Sequence, residues 1–188
     1  NAKYSGIRAS ECSNVNITAN QIFYSRECAL FVENPDIQAG FPYQGIVLSG
    51  NIIYDAGEGI KLNNPDIKAV RASIIGNTIQ NVSTKTFPEW KTNDKNPSNL
   101  YTRITNACGI ICTSDASITG NTIEDCSIAG LVVDLRGTWN PATQSNRDQK
   151  TVVATVVSNT TRNCKFGIGY NDADVRGFAE IAENSILG

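Results

Sequence analysis

Histidine is absent from all 188 residues. Its absence removes every mechanism within the chain that needs an imidazole base or ligand, a Ser-His-Asp triad and the usual zinc sites among them. Methionine is absent too, so the chain is expected to be a trimmed product that has lost its initiator and whatever address preceded Asn1. Positive charge is in short supply: 16 Lys and Arg against 18 Asp and Glu leave a net charge of −2. A pI near 5.2 gives no basic surface, and no nucleic-acid partner is expected. No apolar run reaches the length of a membrane span, so no membrane insertion is expected either. At 20.3 kDa the chain is long enough for one domain with a continuous core.

What the sequence does contain is a repeated phrase. ASIIGNTIQN at 72–81 returns as ASITGNTIED at 116–125. Aligned on its Asn, the phrase recurs at Asn20, Asn51, Asn77, Asn121, Asn159 and Asn184, at spacings of 31, 26, 44, 38 and 25 residues. The shortest spacings match one small supersecondary unit, and the longer ones read as that unit plus an insertion. A second element follows each interior anchor: Ala29-Leu30-Phe31-Val32, Gly59-Ile60-Lys61-Leu62, Gly109-Ile110-Ile111-Cys112, Gly130-Leu131-Val132-Val133 and Gly167-Ile168-Gly169-Tyr170. Alternation of period two with β-branched residues and glycine punctuation predicts short strands.

Identical residues in register suit a stack in which Ile lies on Ile and Asn on Asn. The pattern predicts an all-β chain, 1–188, wound as a single-stranded right-handed parallel β-helix. This solenoid would have about six coils and be a segment of a longer one, since neither end carries a cap. Residues 84–106 and 136–150 are expected as loop insertions.

The Gly-Ile and Asn-Thr-Ile signature, and the order CGIICTSDASITGNTIEDCSIAGLVV, loop, VVSNTTRNCKFGIGYNDADVRGFAEIAENSI, resemble the right-handed β-helix repeat proteins of the pectate-lyase-like superfamily. Within it the last eighty or so residues are similar to the uncharacterised twin-arginine-translocated β-helix repeat family. The resemblance implies an exported protein. It carries over no catalytic residue, because the Asn-Thr-Asp, Asp-Asp, Gly-His-Gly and Arg-Ile-Lys motifs of polygalacturonases and the Asp-Pro-His-Asp motif of alginate epimerases are missing.

The recurring Asn reads as structural, each amide bonding the next. Cys126 and Cys164 each stand five residues after an anchor Asn, which places them in one row. None of the six cysteines has the spacing of a metal site, and small buried thiols are expected rather than a disulfide framework. Glu33, Asn63, Thr113, Asp134 and Asn171 follow the second strand of successive coils and form one expected polar column. Asp134 of this column and Asp172 are expected on neighbouring coils, where they could approach to about 5–8 Å, a separation that spans both glycosidase geometries. Arg136 and Arg176 stand near them in sequence, ready for an acidic sugar. Glu58 with Lys61 is a second set, in which a desolvated Lys61 would be the base of a lyase. Trp90 and Trp139, the only tryptophans, lie in the two insertions and offer rings to stack on a sugar or to pin their loops.

The reading that joins these residues is an extracellular, periplasmic or cell-surface protein that binds a polysaccharide. Its enzymatic form is a hydrolase with Asp134 and Asp172 as the acid–base pair, or a lyase. Trp90, Trp139, Arg136, Arg176, Glu33, Asn63, Glu58 and Lys61 are the expected substrate contacts, with neither metal nor cofactor implied. The alternative is a structural segment of an adhesin, tailspike or filament, without catalysis, whose copies associate or stack end to end.

Overall fold

A computed structural model describes residues 5–10, 12, 14–33, 45–63, 72–84, 86–88, 100–102, 106–113, 115–134, 139–140, 145–146, 152–171 and 177–188. Every regular element among them is a strand. In chain order they are β1 (Ile7–Ser10), β2 (Val15–Thr18), β3 (Gln21–Glu33), β4 (Ile46–Ser49), β5 (Ile52–Asn63), β6 (Ala72–Ile75) and β7 (Thr78–Val82). Then come β8 (Thr86–Pro88), β9 (Leu100–Thr102), β10 (Cys108–Cys112), β11 (Ala116–Thr119), β12 (Thr122–Cys126) and β13 (Ala129–Asp134). The last are β14 (Trp139–Asn140), β15 (Ser145–Asn146), β16 (Val152–Val157), β17 (Thr160–Arg162), β18 (Phe166–Asn171), β19 (Gly177–Ala182) and β20 (Ser185–Leu187).

Two parallel sheets account for most of these strands. The smaller has six strands in the order β19-β16-β11-β6-β4-β2. The larger has ten: an eight-strand path β18-β13-β10-β5-β7-β12-β17-β20, with β3 beside β5 and β1 beside β3. Its two arms diverge from one long strand. Ile52–Ala56 of β5 pairs with β7, whereas Ile60–Leu62 pairs with β10. Two small antiparallel pairs, β8 with β9 and β14 with β15, lie within the insertions 84–106 and 136–150.

All-β structure is therefore found, and equivalent residues do sit side by side. The expectation of a single-stranded right-handed parallel β-helix of about six coils is corrected by this pairing: the strands divide between two separate sheets, one of them two-armed. The sequence pattern breaks the Asn-x-Ile and Gly-Ile elements into separate short strands, but in β3 and β5 they are one strand of 13 and 12 residues. A left-handed residue at the bend, Tyr24 (φ 61°) in β3 and Asp55 (φ 60°) in β5, turns the chain without ending its pairing. The register shift between Ser25 and Cys28 absorbs the remaining irregularity.

Each row of the core is built from one kind of position. Ile17, Leu48, Ile74, Ile118 and Val156 run across the six-stranded sheet, and Ile22, Ile53, Ile79 and Ile123 across the first arm. Leu30, Ile60, Ile110 and Leu131 line the second arm, and all belong to one continuous apolar cluster. Burying each such side chain contributes about 1.5–3 kcal/mol.

The anchor asparagines fix the register between rungs. The backbone N–H and Nδ2 of Asn77 both donate to Oδ1 of Asn121 at 2.9 Å. Asn121 does the same to Asn159 at 3.0 and 2.8 Å, and Nδ2 of Asn121 also donates to the Ile74 carbonyl at 2.9 Å. The same bonds join Asn20 to Asn51, Asn51 to Asn77 and Asn159 to Asn184. A buried amide with donors and acceptor all satisfied costs little to desolvate and admits one register only.

Candidate functional site

Alternation along the first arm sends one residue inward and the next outward. Just after Ile22, Ile53, Ile79, Ile123, Thr161 and Ile186, an outward column runs Phe23, Tyr54, Gln80, Glu124, Arg162 and Leu187, every neighbour in register. The following residue in each rung, Tyr24, Asp55, Asn81, Asp125 and Asn163, is left-handed, with φ between 51° and 62°. This bend aims a second column of side chains along the same edge. Five rung spacings separate Phe23 from Leu187, about 24 Å.

Aromatic rings occupy one end of this strip. Phe23, Tyr24 and Tyr54 remain 45%, 53% and 37% exposed although they touch one another. Phe23 and Tyr54 have ring centroids 6.5 Å apart, and Tyr24 stands edge-on to Tyr54 at 6.4 Å and 90°. Toward the other end the strip is polar. Asp125 accepts from Gln80 Nε2 at 3.4 Å and from Asn163 Nδ2 at 3.2 Å, while Arg162 Nη1 lies 3.6 Å from Glu124 Oε1. Rings with free faces, followed by paired amides and charges on rigid strands, make a surface that meets both the apolar face and the hydroxyl edge of a sugar.

A second cluster lies on the other arm. Arg8, Phe31 and Lys61 are register neighbours, and both cations stand 5.6 Å from the Phe31 ring centroid. Arg8 pairs with Glu33 through Nη2 and Oε1. Lys61 Nζ is 3.3 Å from Oε2 of Glu58, a residue only 4% exposed. The other oxygen of Glu58 accepts from both the backbone N–H and Nδ2 of Asn106 at 3.2 Å. Three donors thus hold the buried carboxylate. Two buried thiols flank this group. Burial chiefly raises the Cys28 thiol, with the Glu58 charge adding to it. The Cys108 thiol is pushed up to about 11, again by burial first.

The structure brings together part of the residue set expected from sequence. Glu33 pairs in register with Asn63, and Asp134 with Asn171. Thr113 follows Cys112, which pairs with both Leu62 and Val133, so the strand-end polar column exists as a backbone row. Asp134 ends β13 and Trp139 opens β14. Asp172, Trp90, Arg136 and Arg176 lie outside the described residues, so no distance joins the proposed acid–base pair. No group of three or more His, Cys, Asp or Glu among the described residues is arranged to hold a metal. Sequence reasoning missed Phe23, Tyr24 and Tyr54. The signal for Phe23 and Tyr54 was the position directly after the inward Ile in the first two repeats, where alternation requires an outward side chain; Tyr24 is turned out by its left-handed backbone, which has no such signal.

Compared with models of known protein families, with curated proteins and with solved structures, the chain matches none.

Proposed function

We propose that this protein binds a polysaccharide along the outer strip of the first arm, in an exported or cell-surface setting. The observation that carries this reading is the exposed ring cluster of Phe23, Tyr24 and Tyr54, continuous in register with Gln80, Glu124 and Arg162. Water gains little from three large rings held at one edge, whereas a pyranose face gives each ring an apolar partner and leaves the sugar hydroxyls to the amides and charges beside it. β5, bonded to β3 on one side and to β7 on the other, holds Tyr54 in place before any ligand arrives, and β3 is bonded to it at Phe23, which lowers the ordering cost of binding. The polar column of Glu33, Asn63, Asp134 and Asn171 supports a second, weaker line of contact, and hydrolysis by Asp134 with Asp172 is the catalytic extension of this reading.

Affinity electrophoresis through gels containing acidic and neutral polysaccharides tests it. At least one glycan is expected to retard the protein. Tyr54→Ala should weaken that retardation by roughly tenfold, about what loss of an aromatic anchor costs, and Tyr54→Phe should keep most of it. Asp134→Asn should bind as the parent does and lose depolymerisation if the carboxylate takes part. Unchanged retardation by Tyr54→Ala and Phe23→Ala together rejects the strip as the binding surface.

A further inference from the structure

Cys126 closes β12, and β12 runs in parallel register with β17 through Thr122–Thr160, Ile123–Thr161 and Glu124–Arg162. Continuing this register, left-handed Asp125 meets left-handed Asn163, and Cys126 then falls beside Cys164. Both thiols adopt the same posture: Cys126 Sγ lies 3.8 Å from the Glu124 carbonyl and Cys164 Sγ 3.3 Å from the Arg162 carbonyl, each two residues back. Both cysteines are free. Cys126 is buried, and Cys164 packs on the same core while keeping partial access to solvent.

We propose that Cys126 and Cys164 form a reversible cross-link site, closed between rungs by a low-molecular-weight disulfide. Adjacent parallel strands set their Cα atoms about 4.8 Å apart, inside the range a disulfide spans. The parallel Cβ vectors lie slightly farther apart than a relaxed disulfide prefers, so the bond is strained and readily reduced. Cys164 keeps access to solvent while Cys126 is buried, and the Cys164 thiol is lowered by the neighbouring Cys126, so Cys164 is the attacking group.

In the first step the Cys164 thiolate attacks one sulfur of the small disulfide. A mixed disulfide forms, and the expelled thiolate takes up the proton that Cys164 released. In the second step Cys126 loses its proton to solvent and its sulfur attacks the Cys164 sulfur, expelling the second small thiolate, which is protonated in turn. The protein is oxidised by two electrons and loses two hydrogens, while the small disulfide is reduced to two thiols. The bond would staple the two rungs that carry Glu124, Asp125, Arg162 and Asn163, the polar end of the outer strip.

Incubation of the whole chain with oxidised glutathione, followed by intact mass and peptide mapping without reduction, tests this. Trypsin with Asp-N frees Cys126 in the peptide Asp125–Val133, away from Cys108 and Cys112, and Cys164 in Asn163–Lys165. The expected result is loss of two hydrogens, a peptide joining these two segments, and reversal by dithiothreitol. Cys126→Ser should stop at one glutathione on Cys164, and the partly exposed Cys164→Ser should take none at Cys126. Persistent glutathionylation of Cys164 in the unaltered protein, a link through Cys108, or no reaction at either residue overturns the proposal.

Discussion

Asn121 bears more of the register than any apolar residue beside it. Its side chain accepts two bonds from Asn77 and donates one to the Ile74 carbonyl and one to Asn159. Asn121→Ala leaves the buried backbone N–H of Asn77 without its acceptor and takes one of the two acceptors of Asn77 Nδ2, at about 1–3 kcal/mol for each bond lost. A loss of about 3–5 kcal/mol is expected in urea unfolding, against about 1 kcal/mol or less for an exposed site such as Ser127→Ala. A second residue-scale effect concerns pH. Cys108 ordinarily ionises near 9 and in the fold only near 11. Between those values the unfolded chain releases a proton that the folded chain keeps, so stability is full below pH 9 and falls as pH rises toward 11. Unfolding midpoints read at pH 9 and at pH 11 should show this fall, and Cys108→Ala should make it shallower. The Asn row was legible in the sequence because the same residue type recurs in every repeat. The left-handed position before it was not, because Gly50, Gly76 and Gly120 share it with Ala19, Ser158 and Glu183.

Between elements, the decisive contact is the approach of the two arms of the larger sheet. Gly59, Gly109, Gly130 and Gly167 form one row on the second arm. A Cβ on Gly109 would lie 2.3 Å from Ile123 Cγ2 and 2.6 Å from the Gly130 carbonyl oxygen, atoms of the opposite arm and of the next rung. Neither can withdraw without moving a strand. Gly109→Ala is therefore expected to cost at least about 2–3 kcal/mol, read as a lowered midpoint in thermal unfolding, and the same change at Gly120, where the Cβ meets open space and only the left-handed φ of 64° is strained, about 1 kcal/mol. The sequence marked these glycines as punctuation before a strand. It did not show that they lie inside the sheet at the closest approach of two arms, nor that β3 and β5 run unbroken around the bend, because pairing between distant strands has no local signal. The predicted single-stranded β-helix was not borne out for this reason, while the inward rows of Ile and Leu followed from period-two alternation.

At the scale of the whole molecule, the outer surfaces differ in kind. One arm presents exposed rings grading into amides and charges, and the other presents a buried carboxylate clasped by Lys61 and Asn106. The sequence pointed to Glu58 with Lys61, which form an ion pair, and separately to Glu33, which pairs with Arg8. It could not rank that cluster against the ring cluster, since exposure depends on which face each arm turns to solvent. The bonds that unite the molecule have a further consequence. Successive anchor asparagines are joined across 25 to 44 residues of chain, so each rung requires closure of a long segment before its first stabilising contact forms. Such a chain acquires its native pairing slowly, on the millisecond-to-second scale of strand-rich folds dominated by distant contacts. The first rungs to close then act as templates for those on either side.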